Sequence, residues 1–384
     1  MLNLIKSNFN KNLSIYLVSI LYFITIVTIN HIIFGNINFG GDTARLIRWA
    51  DLVINNDFKF SEFYKNFANS KHSITGYFFT FFVYYLAIIK FFFKEFLEIF
   101  IFLNYFFFTL IFFYFLKKVN YLFNIKKLFF YFIFFYLFLN LEQIMWASYV
   151  LSDGINFCLV SFFFFKIYEN LKINDKKINI RLYFLLIFCI FFRASNLPLL
   201  GIFLFFFYEK KLKEKIIIKF FLVSGIIISI LLFTYILYNP NLFNLSSNAT
   251  VNYYKNYYLN GVIIHDRPWT FLNNINSYTD FLLVFLIRFI SFFKFWDIKF
   301  SLLHNLFNIT FFVPTYLGAL HAIIKDKTSI VKVCSYWILL FAIFHSLILI
   351  DYEWRYRLPI FIPLYFLMLI SIKNLFKNIN FKNC

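Results

Sequence analysis

The chain has 384 residues, of which 62% are hydrophobic and 26% aromatic, with 65 Phe. Only 14% are charged, against about a quarter in an ordinary soluble domain, which excludes a water-soluble globule and a disordered chain alike. The formal net charge of +19 then belongs to a membrane protein whose basic loops stay in the cytoplasm, with no call for a nucleic-acid partner.

Taken in chain order, apolar segments fall near 13–34, 73–93, 99–116, 128–149, 150–168, 182–208, 216–238, 302–324, 333–350 and 358–376. Each is close to one bilayer crossing of roughly 20 residues. Lipid offers the backbone no hydrogen-bond partner, so these segments are expected to be helical. The predicted fold is an all-α, polytopic transmembrane bundle of about 10–12 membrane helices in a single domain, 1–384, integral to the inner (cytoplasmic) membrane. Lys6 and Lys11 precede the first run, which is long enough to span and reads as an uncleaved helix. Cys158, Cys189, Cys334 and Cys384 are scattered and form no CxxC pair. No HExxH, GxGxxG or GxxxxGK[ST] occurs.

Loop charge sets the orientation. Lys166, Lys172, Lys176, Lys177 and Arg181 mark one cytoplasmic stretch, Lys210, Lys211, Lys213, Lys215 and Lys219 a second, and Lys373, Lys377 and Lys382 a third. Loops 35–72 and 239–280 are long, polar and nearly charge-balanced, and are placed outside the cytoplasm. The run 182–208 lies between two basic loops and is broken by Arg193-Ala194-Ser195-Asn196-Leu197-Pro198, which predicts two short helices meeting near Arg193. Lys117, Lys118, Lys126 and Lys127 want the cytoplasm, which a count from the first loop does not give. The number of crossings over 73–127 stays open, with a hairpin as one solution.

Lys is the default cation here, with 29 Lys against 8 Arg, so each Arg is informative. Arg45, Arg48, Arg193, Arg267, Arg288, Arg355 and Arg357 fall outside the cytoplasmic loops, and only Arg181 falls within one. Arg presents a planar fork of donors that suits phosphate and always stays charged. The bland alternative is snorkelling at helix ends.

Three clusters stand out. Gly40-Gly41-Asp42 opens the first extracytoplasmic loop, followed by Leu46, Trp49, Ala50 and Val53 at helical spacing with Arg45 and Arg48 on the other face. That pattern predicts an amphipathic helix at the membrane surface, with Asp42 either capping it or serving as a general base. Ser152-Asp153-Gly154 interrupts an apolar run, and an intramembrane carboxylate is a functional candidate by default; Glu142 is a weaker candidate nearby. Asp351-Tyr352-Glu353-Trp354-Arg355-Tyr356-Arg357-Leu358-Pro359-Ile360 leads into the last helix, and its two Arg suit a phosphate. The loop 239–280 adds His265-Asp266-Arg267-Pro268-Trp269, where His265 and Arg267 are substrate-binding candidates; Tyr and Trp also settle at interfaces unaided. The segment 281–300, with Arg288, Lys294 and Asp297, reads as interfacial.

On Gly41-Asp42, Ser152-Asp153 and Arg355-Tyr356-Arg357-Leu358-Pro359-Ile360 the chain resembles the C-type (GT-C) membrane glycosyltransferases, in particular the bacterial protein mannosyltransferase and aminoarabinose transferase-like group. It departs from many of them in having Thr43, not a second acid, after Asp42. The resemblance implies transfer of a sugar from a polyprenyl-phosphate donor to a lipid, glycan or protein acceptor outside the cytoplasm. It implies Asp42 and Asp153 as catalytic residues, with a divalent metal ion possible between them. It implies Arg355, Arg357 and Tyr356, with Arg193, on the donor phosphate, and Arg45 near the substrate. The competing readings are a polymerase or ligase of a lipid-linked glycan pathway and a lipid-linked glycan flippase, the last expected to show internal repeats, which are not seen.

Overall fold

The computed structural model describes residues 2–63, 73–120, 135–172, 180–209, 278–297, 300–348 and 354–377. The segment 216–238, the loop residues His265 and Arg267, and Asp351, Tyr352 and Glu353 lie outside the described residues. Those described form a helical bundle. Five helices are long and apolar enough to cross a membrane: Ser14–Phe34, Phe96–Val119, Leu302–Lys325, Ser329–Leu347 and Arg355–Leu375. Leu17, Ile20, Leu21 and Ile24 on the first of these, and Leu317, Leu320 and Ile324 on the third, are exposed on the bundle surface. Exposed apolar stripes of this kind are what a lipid-facing surface requires.

Helix α1 (Leu2–Ile29) continues through a π-helical turn, Asn30–Phe34, to Gly35, whose φ of +85° lets the chain leave the helix sharply. Helix α2 (Thr43–Asn55) follows, then α3 (Ser73–Phe92) and α4 (Phe96–Asn120). The buried face of α2 is Thr43, Leu46, Trp49, Ala50 and Val53, the apolar repeat expected from the sequence. That face is covered by protein, because α2 packs along α3.

Neighbouring rings give the helix directions. Tyr16 stacks on Phe113 and Phe23 meets Phe102, so α1 and α4 are antiparallel. Phe108 meets Phe157 and Phe115 meets Phe165, so α4 is parallel to α6 (Ser152–Lys172). Lys118 at the end of α4 pairs with Glu169 near the end of α6. The bundle thus has a basic end, which holds Lys118, Lys166 and Lys172. At its other end α1 finishes and α4 begins.

The segment 73–93, expected as a crossing, does not carry the chain to the basic end. Tyr84 of α3 packs on Phe58 and Phe63, and Lys90 Nζ lies 2.6 Å from Asp51 of α2. Helix α3 therefore stays with α2, and α4 runs to the basic end. Part of the apolar surface of α3, Phe82, Val83, Leu86 and Ala87 among it, is buried within the bundle, where α3 packs on α2, α4 and α7 (Ile180–Phe192), a burial that hydropathy cannot tell from lipid.

Before α6 comes the short α5 (Leu141–Ala147), capped by Asn140, whose side-chain oxygen accepts from the Glu142 amide at 3.1 Å. Helix α6 is largely enclosed. Ser152, Asp153, Asn156 and Ser161 are all buried in it, a polar content that suits a helix wrapped by other helices. Gly154 lets α6 approach: a Cβ there would sit 3.0 Å from the Trp146 carbonyl oxygen and 3.4 Å from Asn104 Nδ2.

The run 182–208 divides as its sequence predicts. Helix α7 ends at Phe192, Arg193 is extended, a 3-10 turn covers Ala194–Asn196, and α8 (Pro198–Glu209) starts on a proline. Asn196 stitches the break by donating to the Cys189 carbonyl at 2.7 Å and to Asn156 of α6 at 2.6 Å. Helices α9 (Tyr278–Phe292), α10 (Leu302–Lys325), α11 (Ser329–Ile348) and α12 (Phe361–Lys377) complete the described bundle, with a 3-10 stretch, Trp354–Ile360, leading into α12. The 15 residues of α9 rise about 22 Å, short of a bilayer core of roughly 30 Å.

Candidate functional site

The site is assembled at the end of the bundle opposite the lysine-rich one. Two chain segments far apart in sequence are joined there first. Asn38 and Tyr149 form an isolated parallel bridge: the Asn38 amide donates to the Ser148 carbonyl and the Val150 amide to the Asn38 carbonyl, both at 2.9 Å. Thr43 completes the seam. Its Oγ1 accepts from the Gly40 amide at 2.9 Å and donates to the Val150 carbonyl at 3.0 Å. The Gly40–Thr43 turn is thereby fixed to the strand-like stretch that leads into Asp153. At Gly40 a Cβ would sit 2.6 Å from Leu151 Cδ1, so a larger residue there would push the Leu151 side chain aside.

Asp42 occupies the N-cap position of α2 but makes no side-chain capping bond. Thr43 has taken over the local bonding of the turn, which leaves the Asp42 carboxylate directed at Arg45, 2.7 Å away. Both side chains remain partly exposed. Arg45 also lies over the Trp49 ring, 5.2 Å from its centroid.

Asp153 sits in the first turn of α6, where the helix dipole favours a carboxylate. It is 3% exposed and lies between two guanidinium groups. Arg193, from the break between α7 and α8, pairs directly with Oδ1 and donates to Ser152 Oγ at 3.2 Å. Arg355, from the 3-10 stretch before α12, approaches Oδ2 at 3.7 Å. The Tyr356 ring is shared by both cations, 5.6 Å from Arg193 and 5.2 Å from Arg355. Its opposite neighbour is the buried His345 of α11, ring centroids 5.1 Å apart. Trp146 of α5 lies 5.9 Å from Arg355. Two guanidiniums and one carboxylate thus meet where water is largely excluded. Guanidinium forks of this kind suit a phosphate-sized anion.

Arg357 is placed differently from the expectation. The resemblance implies a place beside Arg355 on the donor phosphate, but Arg357 is fully buried. Its Nη2 donates to both carboxylate oxygens of Glu142, at 2.6 and 2.7 Å, and its Nη1 donates to the Lys294 carbonyl. The 3-10 geometry of Trp354–Ile360 turns residues 355 and 357 to different surroundings, and a guanidinium spent on a buried carboxylate is not available to a ligand. Arg357 thus anchors α12 to α5 instead of lining the site. The sequence carried no signal for this pair, because Arg357 stands in a cluster with Asp351, Glu353 and Arg355 and its acid lies 215 residues away. Thr43, Ser152, Trp146 and His345 had no signal either, being common core or interface residues by type.

A divalent metal between Asp42 and Asp153 does not suit these residues. Asp42 faces one guanidinium and Asp153 faces two, which repel a cation. Among the described residues no group of three or more His, Cys, Asp or Glu side chains gathers at one point. Hard cations take several oxygen ligands.

No protein-family model, curated protein or solved structure matches the chain.

Proposed function

We propose that the chain is a membrane glycosyltransferase that moves a sugar from a polyprenyl-phosphate donor to a hydroxyl-bearing acceptor at the extracytoplasmic face. The observation that carries the reading is the Arg193–Asp153–Arg355 group. It is a buried group of two guanidiniums on one carboxylate, and the Thr43–Val150 hydrogen bond ties the turn that carries the half-exposed Asp42 to the stretch leading into it.

The chemistry follows from charge. As the acceptor oxygen attacks the anomeric carbon, Asp42 takes its proton. The bond between that carbon and the phosphate oxygen breaks, and the electron pair leaves with the polyprenyl phosphate. The charge growing there is met by Arg355 and Arg193, both oriented beforehand by Asp153. Asp42 must give up part of its contact with Arg45 as it accepts the proton. The basic end of the bundle, rich in Lys, suits the cytoplasmic side, which supports an extracytoplasmic reading of the site at the other end.

The test is transfer of labelled sugar from a polyprenyl-phosphate donor in reconstituted membranes. Asp42→Asn should lower kcat by about 100-fold or more, as loss of a general base does. Arg355→Ala should lower kcat/KM, and Arg355→Lys should restore it only in part, since a point charge cannot replace the fork. Full activity in D42N would remove Asp42 from the base role.

A further inference from the structure

Asp153 and Asn156 are three residues apart in α6, so they share one face of the helix. Both meet the break between α7 and α8. Arg193 pairs with Asp153, and Asn196, three residues on, pairs with Asn156. The two rungs have the same separation in the chain, 40 residues. They lie about 4.5 Å apart along α6. The second rung is reciprocal. Asn196 Nδ2 donates to Asn156 Oδ1 at 2.6 Å, and Asn156 Nδ2 donates to Asn196 Oδ1 at 3.2 Å. Asn196 is shut off from the surface completely and Asn156 almost so.

Arg193 stands where the helical ladder of α7 ends, with extended backbone at φ −162° and ψ 132°. Asn196 supplies the ties that the helix no longer gives. Its main-chain amide donates to the Arg193 carbonyl at 3.0 Å. Its Nδ2 has a second hydrogen, which goes to the Cys189 carbonyl at 2.7 Å, one of the acceptors left over at the end of α7. One side chain thus grips α6 and the end of α7, and its own backbone grips Arg193. An Arg side chain has many rotamers and reaches a carboxylate from many backbone positions, whereas a reciprocal amide pair closes in one register.

We infer that Asn156 and Asn196 are positioning residues for Arg193. Their pair sets the place of that guanidinium against Asp153, and with it the place where the donor phosphate is met. Both amides act through Arg193. The effect on rate rests on the transferase reading; the effect on the Arg193–Asp153 contact does not.

The test is a double-mutant cycle between Asp153→Asn and Arg193→Gln, read from unfolding of the full chain in detergent. It is run in the wild type and in two altered backgrounds. Asn156→Leu with Asn196→Leu keeps the space filled. Asn156→Ala keeps the Asn196–Cys189 bond and decides the matter where the leucine pair does not fold. The Asp153–Arg193 coupling should be largely lost in both. Ser161→Ala, which removes a buried hydrogen bond farther along α6, should leave it intact. In the transfer assay the Asn variants should lose kcat by about 10- to 100-fold, the scale of a displacement near 1 Å, with donor KM changed much less. A coupling as large in the Asn variants as in the wild type would overturn the assignment, and the amides would then serve folding alone. An equal loss in Ser161→Ala would overturn it too, as a general weakening of α6. So would unchanged kcat in Asn variants of a chain that does transfer sugar. Lost coupling in a chain that transfers no sugar, wild type included, would keep the positioning of Arg193 and sink the transferase reading instead.

Discussion

Arg357 and Glu142, separated by 215 residues of chain, meet in the interior with both side chains shut off from the surface and with Nη2 shared between the two carboxylate oxygens at 2.6 and 2.7 Å. The pair joins the 3-10 stretch before α12 to α5, and α5 leads directly into the α6 turn that carries Asp153. Its job is to hold the parts of the site in register, at the energetic risk that comes with any buried charge.

That risk makes a sharp prediction. Glu142→Ala leaves a buried guanidinium without its counter-ion, and the cost of breaking such a pair is about 3–5 kcal/mol. Glu142→Leu together with Arg357→Met removes both charges and should recover most of the loss. Thermal unfolding in detergent measures both. A Glu142→Ala protein as stable as the wild type would show that the pair does not hold the fold.

Thr43 gives a second prediction, about the loop and not the core. Thr43→Val keeps the shape but leaves the Gly40 amide and the Val150 carbonyl without their Oγ1 partner, a cost of about 1–3 kcal/mol for buried groups. The cost falls on the seam between the two segments. The expected result is faster proteolysis within 35–42 at nearly unchanged global unfolding temperature, with Thr43→Ser behaving as wild type. Equal cleavage rates for the valine variant would mean that the Asn38–Tyr149 bridge alone holds the turn.

Asp153 gives a third. Asp153→Asn leaves Arg193 and Arg355 facing each other with no carboxylate between them, so the variant should be less stable by several kcal/mol, on the order of 3–5. An added anion can take the carboxylate's place. Inorganic phosphate should therefore raise the unfolding temperature of Asp153→Asn more than that of the wild type. A phosphate response no larger than the wild type's would argue against an anion position between the two guanidiniums.

The sequence by itself determined the class of molecule, because 62% apolar residues with few charges leave a chain no stable home but lipid, and lipid permits helices. It also determined the break at Arg193 and the buried face of α2, since proline chemistry and the 3.6-residue period are local properties. Only the tertiary structure decided which charges face a ligand and which face each other. Arg355 and Arg357 are two residues apart and identical in type, yet one borders Asp153 and the other is consumed by Glu142. It alone decided that α3 stays beside α2, because hydropathy records that a side chain avoids water and not whether protein or lipid does the covering. And it alone joined Asp42 to the turn before Asp153, through hydrogen bonds between segments more than a hundred residues apart that no local pattern encodes.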